Sequence, residues 1–158
     1  MRNTLTPTLR LGTLALALLL GCSGKTDAPA PAAADPAATP AGLTPFEQEH
    51  GIGPVTEPVT LGPVDAARAA AGKATFDSKC SACHKMADKY VGPPLGDVTV
   101  RRSPAYVMNM ILNPEGMYAR HPAARQLLGE YMTQMPNLAL TVDQAREVLE
   151  YLRTQAPK

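Results

Sequence analysis

Apolar residues in the second half of the chain recur at helical spacing and predict two long helices at the ends of a folded region. The first runs from about residue 64 to 79 and places Gly72, Phe76 and Cys80 four positions apart, on one face. The last begins at Thr141, whose hydroxyl can cap it, with Gln144 completing a capping box before an apolar stripe. Because both helices present an apolar face, we expect them to pack together, with the glycine permitting close approach.

Two shorter helices are predicted between them. Ser103-Pro104 begins one that runs to Leu112 and ends before Pro114, and Pro122 begins another that runs through Tyr131. The sequence shows no convincing pair of strands and no internal repeat. The predicted fold class is therefore all-α.

The N-terminus has the pattern of an export signal. Arg2 and Arg10 precede a short apolar run over 11–20, which is too short to span a bilayer comfortably, and Gly21-Cys22-Ser23 follows at once. This end resembles a bacterial lipobox, which implies that residues 1–21 are a lipoprotein signal peptide and that Cys22 is the lipid anchor. Serine rather than aspartate after the cysteine weakly favours the outer membrane. The alternative is an ordinary secretory signal with a chance cysteine.

Residues 22–61 are predicted to link this anchor to the domain. From 25 to 41 the chain is almost entirely Ala, Pro, Thr and Asp, cannot form a core and is expected to be a disordered tether. From 43 to 61 apolar residues are scattered among Gly and Pro, so this part either lies along the domain or is a solvated linker. Residues 62–158 are predicted to form one small domain, whose core would be marginal without a cofactor.

Charge excludes one class of partner. The 158 residues carry a formal net charge of +1, and no dense basic stripe is present, so we expect no nucleic-acid binding. We expect a monomer.

The run Cys80-Ser81-Ala82-Cys83-His84 reads as a covalent attachment site for haem c. Each thiol can add to a haem vinyl group, and the adjacent imidazole is then placed to bind the iron. A thioredoxin-type dithiol would open a helix after a buried strand, whereas a helical pattern precedes this motif. A structural zinc site needs further close ligands, and the only other cysteine is the distant Cys22.

Several short motifs over residues 62–158 together resemble a class I cytochrome c. They are the glycine and phenylalanine before the attachment motif, Gly92-Pro93-x-Leu95, a late Met-Pro and a closing Leu149-x-Tyr151-Leu152. The resemblance implies the class I cytochrome c fold, with the N- and C-terminal helices packed together around one covalently bound haem. It also implies single-electron transfer without bond chemistry on a substrate, so the protein is expected to be an electron carrier and not an enzyme.

The resemblance also assigns iron ligands. His84 is the expected proximal ligand, and a methionine before the last helix is the expected second ligand. Met135 is favoured because Pro136 forces it into extended backbone, while Met132 remains the alternative. His121 is interpreted as a surface or capping residue in preference to an iron ligand.

Supporting residues follow from the same resemblance. The carbonyl of Pro93 is expected to hold the second nitrogen of the proximal imidazole. Arg101, Arg102 and Tyr106 are candidates to reach the haem propionates, and Asn137 is a candidate hydrogen-bond partner near the axial sulfur.

The expected function is a membrane-tethered electron shuttle of the bacterial periplasm. A membrane quinol-oxidising complex is the expected donor and a terminal reductase or oxidase the expected acceptor. Residues from 51 to 137 resemble lipoprotein cytochromes that accompany nitrous oxide reductase, which would make that enzyme the acceptor. Four lysines near the attachment motif could steer an acidic partner: Lys73, Lys79, Lys85 and Lys89. The alternatives are a gas sensor or peroxidase with an exchangeable sixth ligand, and a copper-delivery lipoprotein without haem.

Replacement of Cys22 tests the anchor. Cys22→Ser should release the protein from membranes and leave haem attached, because the proposed lipid site and haem site are separate. Membrane fractionation followed by a haem stain of the denatured protein on a gel measures both. Continued retention of Cys22→Ser in the membrane fraction would refute the lipid anchor.

Overall fold

The computed structural model describes residues 42–157. The predicted signal peptide, Cys22 and the Ala- and Pro-rich tether lie outside the described residues. Within residues 42–157 there is no β-strand, and seven helices follow one another along the chain. They are α1 (Pro45–His50), α2 (Ala66–Lys79), α3 (Val98–Arg101), α4 (Pro104–Leu112), α5 (Pro114–Arg120), α6 (Pro122–Tyr131) and α7 (Val142–Gln155). None of these helices is long and apolar enough to cross a membrane.

Helices α2 and α7 pack against each other, as the sequence predicts. At Gly72 the backbone of α7 comes so close that a Cβ there would overlap the carbonyl of Glu147. One turn further, the rings of Phe76 and Tyr151 lie 5.3 Å apart. Helix α2, predicted from about residue 64, begins at Ala66, because the side chain of Asp65 caps it.

The last helix also begins where its capping residues predict. The hydroxyl of Thr141 accepts a hydrogen bond from the backbone N–H of Gln144, and the Gln144 side chain accepts one in return from the backbone of Thr141. Val148, Leu149 and Leu152 are buried against the core from its apolar face. The predicted all-α fold is confirmed.

Three helices were not predicted, α1, α3 and α5, and two of them, α1 and α5, begin at a proline. Pro114 was expected to mark the end of a helix, yet it is the first residue of α5, because the side chain of Asn113 caps the new helix through the N–H of Gly116. Helices α4 and α6 have the predicted bounds. The short α1 and α3 have too few residues for helical periodicity to predict them.

Residues 43–61, here called the N-terminal segment, lie against the folded helices. Of the two alternatives for this part of the chain, the packed one is observed, and the packing begins at Leu43, ahead of residue 62 where the domain was predicted to start. Asn109 of α4 is fully buried beneath it. Its amide nitrogen donates to the carbonyls of His50 and Val55, at 3.0 and 2.9 Å, and its oxygen accepts from the N–H of Val55 at 3.0 Å.

Further bonds fasten the same segment to α5 and α6. The N–H of Ile52 donates to the sulfur of Met117 at 3.1 Å, and the side chain of Asn113 donates to the carbonyl of Ile52 at 3.0 Å. The ring of His121 contacts the carbonyl of Gln48 at 3.1 Å. Backbone polar groups need partners when they leave water, and the buried asparagine and its neighbours provide them.

Gly72→Ala tests the contact between the two long helices. Its added methyl group would overlap backbone atoms that cannot rotate away, so we expect a loss of about 1–3 kcal/mol in the free energy of unfolding. Gly129→Ala is the matched control, because nothing lies within 4 Å of a Cβ there. That variant should gain about 0.5–1 kcal/mol, since alanine is the better helix former. Equal stability of the two variants in denaturant unfolding would contradict the packing argument.

Candidate haem site

The attachment motif begins where α2 ends. Cys80 is the residue after the helix, and its N–H still donates to the carbonyl of Phe76. The chain then turns, so that the N–H groups of Cys83 and His84 both donate to the carbonyl of Cys80, at 3.0 and 2.9 Å. The two cysteines are not joined in a disulfide. The predicted haem-attachment residues are therefore gathered in one turn.

Burial affects the first thiol. It raises the pKa of Cys80 above its ordinary value, with a further increase from the neighbouring Cys83 and a small opposing effect of Lys79. Cys80 is 9% exposed and belongs to the apolar core, as a residue bonded to an apolar macrocycle requires.

The imidazole of His84 is oriented by the loop that follows it. Its Nδ1 lies 2.9 Å from the carbonyl oxygen of Pro93. A carbonyl can only accept, so Nδ1 carries the proton and Nε2 keeps a lone pair for a metal. Gly92 lies against the flat ring, and a Cβ there would be 2.5 Å from Cε1 of the imidazole. The glycine of Gly92-Pro93 is thus required by the ring, and the proline carbonyl lies where the resemblance implies.

Two adjoining cavities meet at the predicted ligands. Cys80, His84, Tyr118 and Met135 line both. The larger cavity, about 120 Å³, is walled by the long helices and by α4 through residues that are mostly apolar: Phe76, Val107, Met110, Ile111, Val148 and Leu152. The smaller one, about 70 Å³, opens toward Cys83, Val91 and Pro136. An apolar cleft with thiols, an imidazole and a thioether on its walls fits a covalently bound haem.

The two candidate methionines have different positions. Met135 is half-buried and lines both cavities. Met132 ends α6 in the left-handed conformation with a φ of 52°, is 83% exposed and lines neither cavity. The geometry therefore supports Met135 as the second ligand, which stays a prediction.

His121 does not line the cavities. It is 4% exposed, so the expected surface position is wrong, because Tyr106 packs edge-on against its ring at 5.1 Å. The expected capping role is observed, since Nδ1 accepts from the N–H of Ala123 at the start of α6.

The candidates for the propionates all line the larger cavity. Arg101 donates to the carbonyl of Pro94 and pairs with Asp97, and Arg102 lies 4.8 Å over the ring of Tyr106. The hydroxyl of Tyr106 is buried and has no hydrogen-bond partner among the described residues. Burial raises the pKa of Tyr106, with partial opposition from Arg102, so the hydroxyl keeps its proton and can donate. An orphaned donor in this wall fits a cofactor that carries carboxylates.

Asn137 makes other contacts than the resemblance suggested. Its oxygen accepts from the N–H of Ala139 at 2.9 Å and its nitrogen donates to the carbonyl of Leu112 at 3.4 Å. Met135 is contacted at its backbone by Tyr118, whose hydroxyl accepts a hydrogen bond from the Met135 N–H at 3.0 Å. Sequence reasoning missed this tyrosine because α5 itself was not predicted.

Comparison with known proteins agrees with this geometry. The family model described as cytochrome c matches residues 69–156. A solved structure titled cytochrome c from Rhodothermus marinus is 48% identical, with a TM-score of 0.67, and the match covers 72% of this chain and 97% of that one. An engineered cytochrome c from the same organism is 47% identical, with a TM-score of 0.66, over 72% of this chain and 98% of that one. No curated protein gave a significant match.

The match to the family model spans more than half of the chain, from within α2 to the end of α7, and contains every haem-site residue described above. Family membership means one covalently bound haem c and an electron-carrier function, with redox proteins as partners. The chain belongs to the cytochrome c family.

Proposed function

We propose that this protein is a lipid-anchored electron shuttle of the bacterial periplasm that uses a haem held by His84 and Met135. The single observation that carries the proposal is the apolar cleft in which Cys80, His84 and Met135 meet. When bound, haem c supplies a reversible one-electron iron couple. The chain contributes a fixed imidazole tautomer, a thioether opposite a buried wall, and exclusion of water.

Each residue of the site has a specific role in this proposal. Cys80 and Cys83 form the two thioether bonds. His84 binds iron through Nε2 while the carbonyl of Pro93 holds Nδ1. A neutral thioether from Met135 in an apolar cleft favours the reduced over the oxidised iron, so we expect a positive midpoint potential. The buried hydroxyl of Tyr106, which has no partner among the described residues, would donate a hydrogen bond to a propionate of the bound haem.

The anchor and location rest on the sequence. The short apolar run before Gly21-Cys22 supports export and lipidation, and the outer membrane is favoured by Ser23. A membrane quinol-oxidising complex is the proposed donor. Nitrous oxide reductase is the proposed acceptor, as one case of a terminal reductase or oxidase.

A gas-binding or peroxidase function is the second candidate. The solved structure of an engineered Rhodothermus marinus cytochrome c, 47% identical to this chain, is described as bound to a carbene intermediate. An engineered relative can therefore hold a small reactive ligand. In the native chain this function would require Met135 to leave the iron, and the response to carbon monoxide decides between the two.

Replacement of each candidate methionine tests the ligand and the function together. Met135→Ala should abolish the weak far-red absorbance band of methionine-ligated ferric haem, lower the midpoint potential and allow rapid carbon monoxide binding to the ferrous protein. Met132→Ala is the matched control and should retain the native spectrum, because its side chain is exposed. Rapid carbon monoxide binding by the native protein would favour the gas-binding or peroxidase function. Loss of the far-red band only in Met132→Ala would show that Met132, and not Met135, is the second ligand.

The surface beside the smaller cavity suggests how a redox partner docks. Tyr90, Val91 and Met132 are exposed by 57%, 38% and 83%, respectively. Lys89 brings their two segments together, because its ammonium group lies 3.2 Å from a carboxylate oxygen of Glu130 and 4.3 Å from the ring centroid of Tyr131. Val91 lines the smaller cavity, and we infer that Tyr90, Val91 and Met132 together form an apolar patch at its mouth, where close approach of a partner shortens the electron path.

The four lysines near the attachment motif offer less free positive charge to a partner than the sequence suggested. Lys73 pairs with Asp77 at 2.6 Å, which raises the pKa of this lysine, and Lys89 pairs with Glu130. Lys85 donates to the carbonyl of Ser81 and lies 5.0 Å over the ring of Tyr90. Two of the four lysines, Lys73 and Lys89, are thus ion-paired, and paired charges attract a partner less strongly than free ones. We therefore expect docking to depend mainly on the apolar patch.

Electron transfer to nitrous oxide reductase in the presence of nitrous oxide tests the patch. Met132→Glu should slow oxidation of the reduced protein by at least about tenfold, since it would bury an unpaired charge in the docked complex. Val142→Glu, at a 50% exposed position in the first turn of α7, is the control and should match the native rate. Added salt should slow the native rate by no more than about fivefold, because exposed ion pairs are weak.

If Met132→Glu is oxidised at the native rate, or if salt slows the native protein steeply, docking depends on the lysines and not on the apolar patch. If a terminal oxidase oxidises the protein but nitrous oxide reductase does not, the electron-shuttle function stands and the proposed acceptor is wrong.

A further inference from the structure

The loop that carries Met135 packs on the core through Leu138 and Leu140 but makes few hydrogen bonds to the rest of the molecule. It extends from the end of α6 to the start of α7 without regular structure. Asn137 reaches the carbonyl of Leu112 at a long 3.4 Å, and Ala139 has a positive φ of 51°. Within residues 42–157, the bond to Tyr118 is the one hydrogen bond made by Met135 itself.

Tyr118 contacts both the haem cleft and the loop that carries Met135, since it lines both cavities and bonds to the Met135 backbone. Its hydroxyl oxygen accepts the Met135 N–H at 3.0 Å, so the contact fixes the backbone from which the thioether projects. An acceptor role uses a lone pair and leaves the hydroxyl proton on the tyrosine. The ring can thus keep its place in the wall of the cleft while the oxygen holds the loop.

Helix α5, which carries Tyr118, is itself firmly held. Asn113 caps its start, and the sulfur of Met117, fully buried, accepts the N–H of Ile52 from the N-terminal segment. The side chain of Arg125 donates to the Tyr118 carbonyl at 3.4 Å at the other end of the helix. A rigid support is what a residue needs in order to restrict another group.

We propose that Tyr118 is the positioning residue for the second axial ligand, acting through the backbone N–H of Met135. The proposal rests on the proposed function in one respect, which is that Met135 binds the iron. Loss of the hydroxyl should let the loop swing away more often, so that the thioether competes less well with an added ligand.

Tyr118→Phe tests the proposal because it removes the acceptor and keeps the ring. Tyr151→Phe is the matched control, since Tyr151 packs on Phe76 and lines neither cavity. Two quantities are measured on the haem-loaded protein. They are the rate of hydrogen–deuterium exchange at the Met135 amide and the affinity of the ferric form for added imidazole, followed by its spectrum.

Both quantities should rise about two- to tenfold in Tyr118→Phe, the range for loss of one neutral hydrogen bond. Both should stay at the native value in Tyr151→Phe. Unchanged amide exchange in Tyr118→Phe would overturn the proposal, and so would equal increases in both variants, which would indicate a general loss of packing.

The outcome is separable from that of the proposed function. The spectrum of Met135→Ala tests whether Met135 binds the iron. Exchange at the Met135 amide reports the bond to Tyr118, whichever residue binds the iron. Faster amide exchange with unchanged imidazole affinity would show that the loop is loosened without effect on the ligand, and would overturn the positioning role.

Discussion

The close contact between α2 and α7 is the constraint on which the haem site depends. Gly72 allows the two backbones to touch, and the direction of α2 then determines where the chain turns at Cys80. The partner helix supplies Val148 and Leu152 to the wall of the cleft. One contact thus places both the attachment motif and the opposite wall, and the orientation of His84 follows from the turn and from Pro93.

The methionine side of the site is built differently. No long helix carries Met135, and polar contacts link its backbone to a segment distant in sequence. The N-terminal segment binds Asn109 and Met117, these residues hold α4 and α5, and Tyr118 on α5 holds the Met135 backbone. The histidine side therefore combines the packing of two long helices with the hydrogen bond to Pro93. The methionine side combines apolar packing of Leu138 and Leu140 with the hydrogen bond from Met135 to Tyr118.

This difference explains what could be predicted from the sequence. The bounds of α4, α6 and the start of α7 follow from prolines and a capping box, which act over a few residues. The turn at Cys80–His84 is likewise local, and its chemistry is contained in five residues. The preference for Met135 over Met132 came from one proline, and the observed positions of the two side chains agree with it.

Long-range contacts could not be predicted in this way. The contacts of Asn109 with Val55, and of Tyr118 with Met135, join residues whose spacing carries no periodic signal. The pairing of the lysines could not be predicted either. Lys89 pairs with Glu130, which lies 41 positions away and is not connected to it by any sequence pattern. Short-range signals predicted four of the seven helices in residues 42–157, the attachment motif and Met135. The contacts of Tyr118 and the pairing of the lysines needed the tertiary structure.

The attachment of the N-terminal segment has a mechanical consequence. Glu47 pairs with Arg120 at 3.3 Å and Gln48 contacts His121, so the chain joins the folded unit at the corner between α5 and α6. Any tension transmitted along the preceding residues would load that corner first. The load would fall on the hydrogen bonds of the N-terminal segment before it reached the long helices, so the covalently attached haem would be shielded from a pull on the preceding chain.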